Sequence, residues 1–222
     1  MDEEITAPPL TDDPDGTPVS TRRMEAFTDG VFSIAATLLV LDLSVDKFPI
    51  GIHSDVALWS AIGDQGFGIL SFVISFLLLG LLWRIHVWQF EFVSTVDSMG
   101  VFLNTLRLLG VVLIPFTTSL ISNYNDLLAG RTLLPLNFLF VTAVSAIQWY
   151  HLTSARHSFV SGLTPAAVRS TRIGSLIAVG LALVTVALSP WLGSIAFVAS
   201  FLNPVFDRFR TPRPKGVRKR HH

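Results

Sequence analysis

The sequence predicts an all-α, polytopic membrane protein with six transmembrane helices per subunit. Half of its 222 residues are hydrophobic and only 14% are charged, whereas a soluble domain carries about a quarter of its residues as charges. The apolar residues form runs, and a membrane-spanning helix needs roughly 20 such residues. Six spans with short connections fit into residues 21–206, which we predict to be one membrane domain.

The six predicted spans follow from the apolar runs and from the residues that interrupt them. The first four cover about 25–43, 67–88, 99–121 and 133–150, and a short segment at 56–62 lies between the first and the second. Aromatic residues at the end of the second span, Trp83 and Trp88, are typical of a membrane interface. The last two spans, about 173–188 and 191–206, are short and are divided at Ser189-Pro190.

The two ends of the chain carry opposite charges. The first fifteen residues hold six acids and no base, and the last fifteen hold seven bases and no acid. We predict that residues 1–20 form a disordered acidic tail and that residues 207–222 form a basic cytoplasmic tail. The acidic start also lacks the basic and apolar segments of a signal peptide, so we expect the first apolar run to remain as a span.

The distribution of bases predicts that both termini are cytoplasmic. Six spans with the N-terminus inside place most bases on the cytoplasmic side, as the positive-inside rule requires. Only Lys47 and Arg131 then lie outside, and Arg107 falls within the third span. Five spans would leave the basic tail outside, against that rule, so six is the favoured number.

One face of the first span has two interpretations. At 100° per residue, Gly30, Ile34, Thr37, Leu38 and Leu41 share this face. Small and hydroxyl residues let helices approach closely, so the pattern alone favours helix packing. The alternative is a pore lining, in which aliphatic rings constrict the path and a threonine layer offers oxygens to an ion.

Two charges near the start of this span indicate polar partners on other helices. Arg23 and Asp29 are six residues apart and therefore do not share a helix face. Charges near a span usually face the bundle interior, where they are paired or hydrated. A simpler alternative is that the long side chain of Arg23 extends to the membrane interface.

The first span resembles the hallmark segment of the transmembrane protein 175 family. The family motif is Arg, three residues, then Phe-Ser-Asp, and this chain has Arg23, Phe27, Thr28 and Asp29. Threonine keeps the hydroxyl of the serine that it replaces. The residues at 103–104 and 113–117 are also similar to the family pattern. The family consists of lysosomal potassium channels and of bacterial relatives with one six-helix unit per subunit.

The resemblance implies a homo-oligomer of four subunits whose first helices line a potassium pore. It implies pore constrictions at Ile34, Leu38 and Leu41, and a contribution to cation selectivity from Thr37. It implies that Arg23, Phe27, Thr28 and Asp29 hold the helix through a polar network, with His86, Asn104 and Arg107 as partners from other helices. We expect a leak-like channel with a moderate preference for potassium over sodium. The single-unit length indicates a bacterial plasma membrane.

Other functions remain as alternatives. A small secondary transporter would show paired halves and broken helices; no such repeat is visible, although Pro115 and Pro190 allow kinks. A non-conducting membrane scaffold is also compatible with this sequence. A membrane enzyme would need a nucleophile and a base or metal ligands. Only Asp29, Asp42 and Arg107 are available for these roles, so we do not expect an enzyme.

Cofactors and nucleic acid are not expected partners. The chain has no cysteine, which excludes disulfides and thiolate metal sites. Its histidines do not cluster with carboxylates as metal ligands would. Gly66-Phe67-Gly68 lacks the preceding threonine-containing strand of a carbonyl filter, so we predict a loop there. We expect the basic tail to bind anionic lipid headgroups rather than nucleic acid.

Overall fold

The chain is a bundle of five long helices in the part that the structure describes. The structure is a computed structural model and describes residues 19–44, 48–154 and 159–197. The long helices are α1 (Thr21–Leu38), α3 (Gly66–Phe90), α4 (Ser98–Asn123), α5 (Leu128–Leu152) and α6 (Pro165–Leu192), and the short helix α2 (Asp55–Asp64) joins α1 to α3. All five are long and apolar enough to cross a membrane, α1 together with the 3-10 turn Leu39–Asp42 that follows it. The predicted all-α membrane fold is confirmed.

The predicted order of elements agrees with the structure as far as residue 152. The first four predicted spans correspond to α1, α3, α4 and α5, and the predicted short segment at 56–62 lies within α2. Ser54 caps the start of helix α2: its side-chain oxygen accepts a hydrogen bond of 3.2 Å from the N–H of Ala57. A cap of this kind satisfies a backbone donor that has no partner within the helix.

The predicted break at Ser189-Pro190 is wrong. Helix α6 runs from Pro165 through Pro190 to Leu192, so this span is longer than predicted and ends three residues later than the predicted break. Proline lacks an N–H and leaves the carbonyl four residues earlier without its helical donor. Ser189 supplies that donor, since its Oγ donates to the Val186 carbonyl over 2.9 Å. The helix stops instead at Gly193, whose φ of 53° departs from helical geometry.

The sixth predicted span begins with the last two residues of α6, and its next five residues form the 3-10 turn Gly193–Phe197. This turn packs back into the bundle, since Ser194 Oγ lies 3.1 Å from Ser71 Oγ of α3 and the Phe197 ring lies 5.5 Å from that of Phe138 on α5. Residues 198–206 of that span lie outside the described residues, and so do the basic tail at 207–222 and the first eighteen residues of the acidic tail. The last two residues that we assigned to the acidic tail, Val19 and Ser20, form strand β1.

Strand β1 joins the start of α1 to the loop between α3 and α4. It pairs antiparallel with strand β2 (Thr95–Val96), Val19 lying opposite Val96. A second apolar cluster packs beneath this pair and includes Met24 of α1, Phe90 and Trp149. We call this the amino end of the bundle, because α1 begins there, and the opposite end the carboxyl end.

The main core fills the bundle between α1, α3, α4 and α5. Its buried residues include Phe32 and Ala35 of α1, Leu78 of α3, Val111 of α4 and Phe138 of α5. Helices α4 and α5 approach closely at Gly110, where an added Cβ atom would lie 2.5 Å from a methyl carbon of Val141. Small residues at helix interfaces allow such close approach between membrane helices.

Candidate pore-lining helix and its polar cluster

One face of α1 packs into the bundle and the rest of its circumference is uncovered. The buried residues are Thr21, Met24, Thr28, Phe32 and Ala35, and their spacing of three or four residues follows the helical period. These positions bring α1 against α3 and α4. As a result, the pattern of small, apolar and hydroxyl residues on the opposite side of α1 meets no other helix of the described chain.

The uncovered side carries the stripe that the sequence singled out. We define the exposed stripe as Gly30, Ile34, Thr37, Leu38 and Leu41, all of which are exposed within the subunit. Ile34 keeps 61% of its surface and Leu41 keeps 70%. Packing against helices of the same subunit is therefore excluded as the role of this stripe in the described chain. Contacts with lipid, with other subunits or with an open path remain.

Thr37 is the polar residue of the exposed stripe. Its Oγ1 donates a hydrogen bond of 2.8 Å to the carbonyl of Ile34, one turn earlier in the same helix. A hydroxyl has one donor and two acceptor lone pairs. The hydroxyl proton of Thr37 therefore points to the backbone of its own helix. The lone pairs of Thr37 Oγ1 remain available to a ligand on the exposed stripe.

A polar cluster lies on the buried side of α1, opposite the exposed stripe. Thr28 is fully buried, and its Oγ1 accepts a hydrogen bond of 2.9 Å from Asn104 Nδ2 on α4. Asn104 Oδ1 in turn accepts from the Arg107 guanidinium over 2.7 Å. The same guanidinium also contacts His86 Nδ1 on α3. We call these four residues the polar cluster. It ties the middle of α1 to α3 and α4.

Arg107 determines the hydrogen-bonding state of its neighbours. A guanidinium has donors only, so His86 Nδ1 must accept and the proton of a neutral ring must sit on Nε2. The ring of Phe90 lies 5.9 Å from the guanidinium carbon and 4.3 Å from the His86 ring. Buried charge is stabilised here by polar and aromatic groups from three helices.

The remaining motif residues lie outside the polar cluster. Asp29 is exposed and accepts a hydrogen bond of 2.9 Å from Trp83 Nε1 on α3. Phe27 keeps 62% of its surface. Arg23 is exposed and makes no hydrogen bond or ion pair with another described residue. The structure therefore brings Thr28 together with His86, Asn104 and Arg107, but not Arg23 or Phe27.

Sequence reasoning missed two sets of partners. Trp83 was assigned to an interfacial belt, yet its indole donates to Asp29. At the carboxyl end, Asp42 Oδ1 accepts from Ser119 Oγ over 2.9 Å and from Asn123 Nδ2 over 3.2 Å. For the second set, the only available signal was the acid Asp42 at the end of an apolar span. Its two partners lie 77 and 81 residues further along the chain.

A second ionisable pair lies at the amino end. Asp97 precedes α4 and accepts from the Gly100 N–H over 2.8 Å, and His151 Nε2 lies 2.9 Å from its carboxylate. Partial burial by itself raises the pKa of Asp97, but the hydrogen bonds from His151 and Gly100 together lower it below its ordinary value of 3.8. Asp97 directly follows β2, so this pair supports the strand that holds the start of α1.

Comparison with known proteins relates this geometry to a family. Residues 23–115 match the sequence profile of the endosomal/lysosomal potassium channel TMEM175. A potassium channel of Streptomyces collinus is 37% identical over 178 residues, which is 75% of this chain and 84% of that channel. The chain belongs to the TMEM175 family.

Structural similarity agrees with the TMEM175 assignment. The crystal structure of a lysosomal potassium-selective channel TMEM175 homolog from Chamaesiphon minutus superposes with a TM-score of 0.70 at 30% identity, covering 86% of this chain and 98% of that one. The human endosomal/lysosomal proton channel TMEM175 is 38% identical over 95 residues, and the matched segment spans only 19% of its length. The TMEM175 match to residues 23–115 contains α1, the exposed stripe and the polar cluster. The chain is a multi-pass membrane protein of this channel family.

Proposed function

We propose that the chain is a subunit of a potassium-selective channel whose pore is lined by α1. The observation that carries this proposal is the exposed stripe, which the subunit leaves uncovered while it buries the opposite face of the same helix. One helix cannot enclose a path alone, so several copies must place their stripes around one axis. The relatives are named as potassium channels, and we propose that the assembly of this chain is a homotetramer.

The proposed path has aliphatic constrictions and one hydroxyl layer. Rings of Ile34, Leu38 and Leu41 restrict the path by excluding water, and a ring of Thr37 oxygens replaces part of the hydration shell of an ion. No carboxylate belongs to the exposed stripe, so divalent cations lack a strong binding site on it. The proposed channel is leak-like and prefers potassium to sodium moderately. Potassium is its permeant ion, and this transport function requires neither catalysis nor a cofactor.

The polar cluster supports this function by fixing the rotation of α1. A turn of α1 about its axis would pull Thr28 away from Asn104 and leave buried polar groups unsatisfied, which costs about 1–3 kcal/mol for each group. We propose that Asp29, through Trp83, adds to this restraint. Arg23 and Phe27 lie on uncovered parts of α1 and face neighbouring subunits.

We propose that the protein resides in a bacterial plasma membrane with both termini in the cytoplasm. With the amino end of the bundle inside, the five described crossings would leave Arg84, Arg169 and Arg172 on the cytoplasmic side, as the positive-inside rule favours. A cytoplasmic C-terminus requires a sixth crossing after α6, which would begin at Gly193, where the chain turns back into the bundle. The basic residues at 207–222 would then lie against the anionic headgroups of the inner leaflet.

Reversal potentials in planar bilayers test the proposed function. Purified protein between potassium and sodium solutions should give a potassium-directed reversal potential. Ile34→Asn should carry a larger current, because a polar ring hydrates the constriction. Ile147→Asn is the matched control, since Ile147 on α5 is exposed to a similar degree but lies on another helix. Absence of current from the wild-type and Ile34→Asn proteins, or equal gains in both variants, would contradict a pore lined by α1.

A further inference from the structure

The exposed stripe ends in a 3-10 turn instead of a regular α-helix. Helix α1 ends at Leu38, and Leu39–Asp42 form the turn, which the Leu43 N–H closes on the Val40 carbonyl over 3.0 Å. Residues three apart eclipse each other in a 3-10 helix, whereas they are about 60° apart in an α-helix. The turn therefore brings Leu41 into line with Leu38 on the exposed side.

Side-chain hydrogen bonds hold this turn against α4. Asp42 Oδ1 accepts from Ser119 Oγ and from Asn123 Nδ2. Asn123 Nδ2 also donates to the Ser119 carbonyl over 2.8 Å and lies 3.1 Å from Ser119 Oγ. We call these three residues the Asp42 clamp. The neighbouring Leu39 is 1% exposed and anchors the same turn in the core.

We propose that Asp42 is a positioning residue that aligns the last two aliphatic rings of the pore. Through the Asp42 clamp it holds the 3-10 turn, and thereby keeps Leu38 and Leu41 in one line. This inference rests on the proposed function. A residue that follows Leu41 in a 3-10 turn is rotated from it by about 120°, so Asp42 is directed toward α4 while Leu41 is directed to the uncovered side.

A competing role for Asp42 is electrostatic. A carboxylate near the mouth of a channel raises the local concentration of cations. That effect depends on charge and not on hydrogen bonding, and it is screened as the Debye length falls from about 30 Å at 0.01 M salt to about 3 Å at 1 M. Asp42→Asn separates the two roles, because the amide keeps an oxygen acceptor and loses the charge.

Thiol labelling at Leu41 tests the clamp without relying on current. The chain has no cysteine, so Leu41→Cys gives a single reporter for a membrane-impermeant thiol reagent. Asp42→Ala and Ser119→Ala should each change its labelling rate by up to about tenfold, as loss of hydrogen bonds to a carboxylate shifts a conformational equilibrium. The double variant should change no more than Asp42→Ala alone, because Asp42→Ala already removes the hydrogen bond from Ser119.

Two control variants distinguish a role of the Asp42 hydrogen bonds from a general effect of substitution. Asp42→Asn should label within about twofold of the parent, and so should Asp55→Ala, which removes an exposed carboxylate in the first turn of α2. Each variant is compared only as an oligomer that elutes like the parent. Equal labelling in all variants would overturn the proposal.

Currents of the same Asp42 variants complete the test. Asp42→Ala should alter the potassium current at both low and high salt, and Asp42→Asn should leave it near the wild-type level. An Asp42→Asn current that is reduced at about 0.01 M salt and normal at about 1 M would assign Asp42 an electrostatic role and overturn positioning. If the wild-type protein carries no current but the labelling rates change as expected, the proposed channel function is refuted. The inference that the Asp42 clamp holds the 3-10 turn then still stands.

Discussion

Thr28 and Thr37 lie on opposite sides of α1 and use their hydroxyl groups differently. Thr28 is buried and accepts its hydrogen bond from another helix, so its oxygen is occupied by the fold. Thr37 is exposed and donates to its own helix, so its lone pairs stay available. The same residue type can therefore act as a structural contact at one position and as an ion ligand at the other.

Thr37→Val should lower the permeability ratio of potassium to sodium by about fivefold, corresponding to roughly 1 kcal/mol for a lost polar contact. Valine keeps the shape of the side chain and removes the oxygen that the proposed pore offers to the ion. Reversal potentials under a potassium/sodium gradient give the ratio. Thr105→Val is the control, because Thr105 on α4 is exposed and donates to its own helix over 3.0 Å. An unchanged ratio in Thr37→Val would remove Thr37 from selectivity.

At the scale of elements, two contacts hold the helices in register. Helices α4 and α5 meet at Gly110, where the Asn137 side chain also donates to the Gly110 carbonyl over 2.9 Å. At the amino end, the pairing of β1 with β2 and the adjacent Asp97–His151 pair connect the start of α1 to α4 and α5. The position of α1 therefore depends on elements that do not line the exposed stripe.

Gly110→Ala should destabilise the bundle by about 1–3 kcal/mol, as overpacking does in well-packed interiors. The added methyl group would lie 2.5 Å from Val141 Cγ2 and 2.9 Å from Phe140 Cδ1. Thermal unfolding in detergent measures the loss. Gly80→Ala is the matched control on α3, where an added Cβ atom meets nothing within 4 Å. Equal melting temperatures for the two variants would contradict the close approach of α4 and α5.

We expect the free energy of unfolding to depend on pH through Asp97, which lies at the amino end of the bundle. Its pKa is lowered in the folded state, so its stabilising contribution is present above the unfolded value of 3.8 and is lost as pH falls below that value. Asp97→Asn should thus melt at a lower temperature than the wild-type protein at pH 7, and the difference between them should shrink as pH falls below 3.8. Asparagine can still accept the hydrogen bond that caps the helix. The substitution therefore removes the charge of Asp97 and keeps the cap. A difference that is constant with pH would contradict this assignment.

For the whole molecule, the proposed assembly accounts for the uncovered side of α1. In that assembly, several copies surround a common path, and Ile34, Leu38 and Leu41, which are exposed within one subunit, face it. The buried face of α1 and all four members of the polar cluster come from one chain, so the packing of α1 against α3 and α4 does not need a second subunit. Both features suit a channel in which each subunit contributes one helix to the pore.

A single cysteine at Ile34 should link neighbouring subunits. Disulfides form when Cα atoms are within about 7 Å, a distance that only a narrow ring allows between copies. Oxidised Ile34→Cys should run as a linked dimer on a non-reducing gel, and native mass measurement of the unmodified protein should give four chains. Ile147→Cys on α5 should remain unlinked. Linking at Ile147 and not at Ile34 would contradict a pore built from α1.

An α-helical membrane protein with its distinctive segment in the first helix could be predicted from the sequence alone. This prediction was possible because each span must satisfy its own backbone hydrogen bonds in a bilayer, and because the motif from Arg23 to Asp29 is local. The prediction failed at Pro190, where the Ser189 hydroxyl supplies the donor that proline lacks, a compensation that proline rules for helices do not anticipate.

The side of α1 that packs against the bundle, and the side that stays open, depend on the tertiary structure. Helical periodicity groups residues into faces but does not say which face meets the bundle. Contacts between residues far apart in sequence, such as Thr28 with Asn104 and Asp42 with Ser119, settle that question. These contacts depend on how the helices cross, and the polar atoms that α1 buries must find partners there. The uncovered stripe is the consequence.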